Sequence, residues 1–156
     1  MAKEIERKFL VIGDAWRTVR GMSIRQGYLH NEVESTVRVR TSGERAYLTI
    51  KGSMSGITRT EFEYEIPLED ANAMLDQLCQ KPLIEKIRYE VEVGGFKWEI
   101  DEFLGENVGL AVAEIELEDE DQEFPKPAWV GKEVTDDARY LNANLVKNPY
   151  SKWDKE

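Results

Sequence analysis

From residue 3 to about residue 118 the chain alternates apolar and charged positions with a period of two. That is the pattern of strands with one face in a core and the other outside it. Eight runs carry it, at 3–11, 23–30, 35–41, 45–52, 58–66, 84–93, 96–103 and 110–118. Ser42-Gly43 and Gly94-Gly95 separate neighbouring runs with hairpin chemistry. Gly52-Ser53-Met54-Ser55-Gly56 reads as a flexible loop, either a mobile lid or a plain connector. The period changes at 68–80, where Leu68, Ala71, Leu75, Leu78 and Cys79 fall near helical spacing and Pro82 ends the run. Residues 136–147 predict a second helix, with Asp136 or Asp137 as N-cap and Leu141, Leu145 and Val146 on one face. A short helix is expected near 14–20.

The two sides of these strands differ in kind. Glu4, Glu6 and Lys8 share one side of the first run, and Ile5 and Phe9 share the other with Arg7 between them. Arg38 and Arg40 oppose Val37 and Val39, and Thr49 and Lys51 oppose Leu48 and Ile50. Arg59, Glu61, Glu63 and Glu65 oppose Phe62, Tyr64 and Ile66, and Lys86, Arg88 and Glu90 oppose Ile87, Tyr89 and Val91. Lys97, Glu99 and Asp101 oppose Phe96, Trp98 and Ile100, and Glu114, Glu116 and Glu118 oppose Ala113, Ile115 and Leu117. An antiparallel sheet with one wet face accounts for simple alternation. It does not account for near-pure charge on strand after strand with the signs segregated, because a surface built for solubility intersperses them. A barrel closed with its charged face inward does. The helices at 68–80 and 136–147 then cover its apolar exterior. Clustered carboxylates repel unless a cation neutralises them, and clustered Arg and Lys call for a polyanion. A divalent metal with a phosphate chain satisfies both.

Composition narrows the choice. With 156 residues and 41% hydrophobic content, one folded domain spanning 1–156 is expected. A net charge of −10 argues against a nucleic-acid or anionic-membrane binder, although a local basic pocket remains compatible. One cysteine, Cys79, excludes a disulfide framework and a Cys-based zinc site, and it reads as a small buried hydrophobe. The sole histidine, His30, comes with no nucleophile-elbow motif. No apolar run is long enough to span a membrane and the N-terminus shows no signal region, so a soluble cytoplasmic protein is expected. Glu118 to Glu123 reads as solvated acidic surface. Trp129, Tyr150 and Trp153 are expected on the outer apolar face; the alternative is that they plug one mouth.

At this point the residues resemble a known family. Glu4-x-Glu6-x-Lys8 is similar to the signature of the CYTH domain, or triphosphate tunnel metalloenzymes, which include class IV adenylyl cyclases, thiamine triphosphatases and bacterial inorganic triphosphatases. The resemblance continues through Gln26-Gly27-Tyr28-Leu29, Val37-Arg38-Val39-Arg40, Leu48-Thr49-Ile50-Lys51, Glu61-Phe62-Glu63-Tyr64-Glu65-Ile66, Lys86-Ile87-Arg88-Tyr89, Trp98-Glu99-Ile100-Asp101, Ala113-Glu114-Ile115-Glu116-Leu117 and Gly131-Lys132-Glu133-Val134-Thr135. It covers nearly the whole chain in order.

The resemblance implies an α+β, mostly antiparallel fold: an eight-stranded closed barrel with a charged interior and helices packed outside. It implies a small triphosphate substrate, with Mg²⁺ or Mn²⁺. Lys8, Arg38, Arg40, Lys51, Lys86, Arg88 and Lys132 would grip phosphate oxygens. Glu4, Glu6, Glu63, Asp101, Glu114 and Glu116 would hold metal directly or through water, with Glu4 and Glu6 nearer the attacking water. Lys8 and Tyr28 stay open between helping to activate water and a plainer role, Lys8 as a phosphate ligand and Tyr28 as its hydrogen-bonding neighbour. The Gln-Gly-Tyr-Leu strand and compact length look most like the bacterial members that cleave inorganic triphosphate to pyrophosphate and phosphate. A nucleoside triphosphatase is the runner-up. Thiamine triphosphatases carry an aromatic where this chain has Thr36, and no feature reads the base that a cyclase must seat. A non-catalytic polyphosphate binder would not need so many carboxylates. A monomer or a homodimer is expected.

Overall fold

The computed structural model describes residues 3–154. Its strands are β1 (Lys3–Val11), β2 (Met22–Asn31), β3 (Ser35–Ser42), β4 (Arg45–Gly52), β5 (Thr58–Ile66), β6 (Ile84–Val93), β7 (Phe96–Phe103), β8 (Ala111–Glu116) and β9 (Val130–Glu133). Two α-helices follow β5 and β9, α1 (Leu68–Gln77) and α2 (Asn142–Lys147). The sheet runs β5-β4-β3-β2-β6-β7-β8-β1-β9 with a further β5–β1 pairing, so β1 to β8 close into an antiparallel barrel. Closure is short, joining Lys3, Glu4 and Ile5 to Thr60, Arg59 and Thr58. On the same edge of β1, Phe9 and Val11 pair with β9.

Most of the outward apolar faces are covered, whereas Phe62 and Tyr64 on β5 are exposed. Phe9, Trp16, Trp98, Ile100, Ile115 and Trp129 form one cluster, with Trp98 edge-on to Phe9 at 5.6 Å and to Trp129 at 5.5 Å. Ala71 and Leu75 of α1 pack with Val39, Ala46 and Cys79.

The interior changes character along each strand. Glu4, Glu6 and Lys8 give way to Leu10, Glu116 and Glu114 to Val112, and Arg88 and Lys86 to Ile84. These apolar ends meet Tyr28, Phe103, Tyr140, Leu145 and Val146, which fill one end of the barrel. An eight-stranded barrel encloses just enough room for side chains or one small ligand, so this apolar fill leaves a charged chamber in the remainder.

Three elements depart from the sequence expectation. Residues 14–20 form turns, not a helix. Arg17 N–H donates to Asp14 O at 3.0 Å, and this single turn suffices to bury Trp16, whose Nε1 donates to Gly13 O at 2.8 Å. Residues 136–147 split into a 3₁₀ turn at Ala138–Tyr140, capped by Asp137, and α2, because Leu141 between them is extended. That break sends Tyr140 into the apolar fill and Leu141 and Asn142 to the chamber. The four residues of β9 were too few to register as alternation. Trp129 packs on the outer face as expected, whereas Tyr150 and Trp153 pack around Tyr140 at the filled end. Among the described residues, no helix is long and apolar enough to cross a membrane.

Candidate active site

Strand parity delivers the chamber lining. Antiparallel partners directly opposite one another share a face, so the register writes the walls. Tyr28 lies opposite Arg38, Arg38 opposite Thr49, and Thr49 opposite Glu63. Arg88 lies opposite Asp101, Glu99 opposite Glu114, and Glu114 opposite Lys8. Glu4, Glu6, Lys8, Tyr28, Arg38, Arg40, Lys51, Glu63, Lys86, Arg88, Glu114 and Glu116 all line the chamber. Of the residues singled out from sequence, Asp101 sits behind that lining, fully buried, and Lys132 is exposed on β9 outside it. Arg59, Glu61 and Glu99 also line it. Their strand parity already marked them, since each shares its face with a residue of the predicted set.

The basic wall is held by a buried chain. Asp101 takes Arg88 through two bonds, Nε to Oδ1 at 2.8 Å and Nη2 to Oδ2 at 2.9 Å, and lies 2.8 Å from Lys86 Nζ. Lys86 also donates to Asn142 Oδ1 at 2.9 Å, which accepts from Gln26 Nε2 at 3.1 Å, and Gln26 Oε1 accepts from Arg40 Nε at 3.0 Å. Gln26 and Asn142 belong to no charged pattern; Gln26 lies in a segment that carries the resemblance, whereas no local signal marks Asn142. Burial opposes ionisation of Asp101, yet Arg88 and Lys86 hold its carboxyl well below the usual range. Burial pushes Lys86 down to about 7, with Asp101 pulling the other way and Arg88 and Arg40 adding to the fall.

Two guanidiniums on this wall are incompletely satisfied, although Arg38 Nη2 lies 3.8 Å from Glu63. Arg40 forms no ion pair among the described residues, and burial with the Arg38 and Arg88 guanidiniums pushes it down to about 9. Arg38 Nε is buried without any hydrogen-bond partner. A guanidinium cannot shed its proton at working pH, so these donors wait for an anion.

The acidic wall faces them. Lys51 Nζ donates to both oxygens of Glu4, at 3.0 and 3.1 Å, and Arg59 Nε donates to Oε1 at 3.3 Å. Against the burial that would raise it, Glu4 is therefore lowered. Glu114 is likewise lowered despite burial, by Lys8 at 3.4 Å. The other carboxyls are pushed up. Burial does most of it for Glu6, helped by Glu114 and Glu4. Burial also leads for Glu116, with Glu4, Glu61 and Glu99 repelling it, and Glu61 and Glu99 rise too. Crowded, repelling carboxylates fit a divalent cation. Among the described residues no three are already converged on one point. A hard ion such as Mg²⁺ keeps several waters and takes one or two carboxylates plus substrate oxygens.

The comparisons with known proteins agree with this geometry. Residues 2–150 match the CYTH domain. The chain is 57% identical over 151 residues to an inorganic triphosphatase of Acetivibrio thermocellus, covering 96% of this chain and 97% of that one. It is 37% identical over 147 residues to an inorganic triphosphatase of Nitrosomonas europaea, covering 92% and 96%. A crystal structure of an inorganic triphosphatase superposes with a TM-score of 0.66 at 33% identity, over 94% of this chain and 95% of that chain. With a charged chamber enclosed by an antiparallel barrel, and a match over nearly its full length, the chain belongs to the CYTH domain family.

Proposed function

We propose that this protein hydrolyses inorganic triphosphate to pyrophosphate and phosphate inside the charged chamber, with Mg²⁺ or Mn²⁺. The observation that carries the reading is the facing of two unsatisfied walls. Arg40 has no ion pair among the described residues and Arg38 Nε has no hydrogen-bond partner, while burial and neighbouring carboxylates push up Glu6, Glu61, Glu99 and Glu116 around the same space. The two relatives named inorganic triphosphatases support the choice of substrate. So does size. The cavity is about 180 Å³, below the roughly 300 Å³ at which pockets for larger ligands begin. Among its described lining residues Tyr28 is the one aromatic, which leaves no pair of rings to clamp a base.

Arg38, Arg40, Lys86 and Arg88 would bind the phosphate chain and stabilise charge on the transferred phosphoryl and on the leaving pyrophosphate. Lys51 and Arg59 would hold Glu4 ionised, and Lys8 would do the same for Glu114. Glu4, Glu6, Glu114 and Glu116, with Glu63 on the adjoining strand, are the carboxylates proposed to hold metal, directly or through water. A bound divalent ion would neutralise phosphate charge and lower the pKa of water. Asp101, with both oxygens engaged, is proposed as the brace of Lys86 and Arg88.

The test is phosphate release from inorganic triphosphate, ATP and thiamine triphosphate, each with Mg²⁺, Mn²⁺ or EDTA. Metal-dependent release from triphosphate in preference to the other two is expected. Faster release from ATP would move the assignment to a nucleoside triphosphatase, and triphosphate binding without turnover would make the chamber a binding module.

A pH dependence follows for the metal. Carboxyls raised above their ordinary range keep protons that a cation must displace. Loading therefore weakens as pH falls, so the half-saturating Mg²⁺ concentration is expected to fall between about pH 5 and about pH 8, and to vary less with pH in a Glu6→Gln variant. Titration of initial rates against Mg²⁺ at each pH reads this directly. A half-saturating concentration independent of pH would contradict it.

A further inference from the structure

The barrel wall has a gap beside the chamber. One edge of β1 is shared by two partners, β5 at Lys3 to Ile5 and β9 at Phe9 and Val11. Between them on that edge, at Glu6 to Lys8, no strand among the described residues runs alongside, while the other edge pairs with β8. The chain there is held by single bonds: Glu6 N–H to Ile57 O at 3.3 Å, Lys8 N–H to Thr135 Oγ1 at 3.0 Å, and Val134 N–H to Lys8 O at 2.9 Å. Behind this stretch lies a recess of about 20 Å³. Glu4, Glu6, Lys8, Arg59 and Leu141, which also line the chamber, form one part of its lining, and Met54, Ile57 and Thr135, which do not, form the rest.

The volume is that of one water, which needs about 10–15 Å³. The chemistry suits one as well. Lys8 is 7% exposed and its ammonium lies 3.4 Å from Glu114 and 4.0 Å from Glu6. Both are longer than a well-formed hydrogen bond of about 2.7–3.2 Å. An ammonium has three donors to satisfy, and a water in the recess would take one while donating to the Glu6 carboxylate. The outer cover is thin. It is the loop between β4 and β5, where Met54 is 41% exposed and Gly56 takes a φ of +64°. A Ser55–Thr58 bridge makes that loop a compact flap over the gap.

We propose that this recess is a lateral water port, closed by Met54 and Ile57, which feeds the reaction from the side while the phosphate chain occupies the chamber. The inference rests on the triphosphatase reading above. One water is consumed per turnover. Its oxygen bonds to the terminal phosphorus, the bridging P–O bond breaks with its electron pair on pyrophosphate, and the proton leaves with the products. A phosphate chain and its cations crowd the charged chamber, so a supply behind Glu6 and Lys8 does not compete with substrate. Met54 and Ile57 are positioning residues here and touch no reacting atom.

The test is to fill the port. Met54→Trp and Ile57→Trp are expected to lower kcat by about tenfold or more, as small losses of reactant placement do. The triphosphate KM and the half-saturating Mg²⁺ concentration should be unchanged, because no phosphate or cation contact is altered. Thermal melts of both Trp variants, expected to match wild type, serve as the control for folding of the loop. A high-resolution crystal structure of the metal-free wild-type protein should hold an ordered water in the recess, within hydrogen-bond distance of Lys8 Nζ and a Glu6 oxygen. Wild-type kcat in both Trp variants, or a dry recess, would overturn the port. A wild-type protein with no activity on triphosphate would instead overturn the functional reading, and the crystallographic water would still report on the recess.

Discussion

Arg40→Gln is expected to slow triphosphate turnover about a hundredfold, the scale on which one preorganised donor acts, and to raise the melting temperature of the ligand-free protein. The two effects share one cause. Arg40 has a single hydrogen bond, to Gln26, and no carboxylate partner among the described residues. Burial and the flanking guanidiniums of Arg38 and Arg88 push it down to about 9, well below the ordinary arginine range. A cation whose folded pKa lies below the unfolded one costs stability wherever it stays charged, so the cost is present throughout the range below about 9. Glutamine removes the charge and leaves the Gln26 contact within reach. The gain should be about 1 kcal/mol, roughly 2–4 °C for a chain of this length. Thermal melts with and without triphosphate in EDTA separate the contributions. The anion should stabilise wild type strongly, because ligand that binds the folded state alone adds about 2.7 kcal/mol at a hundredfold excess over Kd. It should stabilise the variant far less. A variant that melts lower than wild type and keeps its activity would show that Arg40 is satisfied by its surroundings and is no anion receptor.

This trade of stability for binding also explains why the site was legible in the sequence. A period-two pattern with pure charge on one face is readable because the barrel leaves the chain no other way to place seven basic and seven acidic side chains around one space. Parity alone places Lys8, Arg38, Lys51, Glu63 and Glu114 on the lining face, and eight strand ranges are legible to within a residue or two. What alternation cannot encode is depth along the strand. Asp101 has the same parity as Glu99, yet two residues further along it is sealed between Lys86 and Arg88. Nor does alternation speak for segments outside the strands. Asn142 reaches the chamber base only because Leu141 is extended and breaks the expected 136–147 helix. The filling of one barrel end by Tyr140, Leu145 and Val146 likewise depends on the C-terminal segment folding back, a long-range event that no local period records. Lys132 shows the converse limit. It lies in a segment carrying the resemblance, yet β9 pairs only with the far end of β1 and leaves the side chain outside the lining.

Asp101→Asn should be among the most destabilising single changes in the chain, because it removes the one carboxylate that both Lys86 and Arg88 bond at 2.8 Å. Asp101 has no exposed surface and Lys86 is 1% exposed. Breaking a buried pair from one side strands the other charge and costs about 3–5 kcal/mol. The pH dependence gives the sign. Against the burial that would raise it, the two cations hold the Asp101 carboxyl well below its ordinary 3.8. A group lowered in the folded state contributes stability above its unfolded pKa and loses it progressively as pH falls from that value through the folded one. The gap in stability between wild type and variant should therefore be full at neutral pH and shrink once pH drops under about 4. Denaturant titrations at several pH values measure it. Kinetics then decide the residue's role. If Asp101 braces the phosphate-binding cations, the variant's triphosphate KM rises while its half-saturating Mg²⁺ concentration stays at the wild-type value. If it holds the metal instead, the order reverses: stability changes little, and the Mg²⁺ requirement climbs.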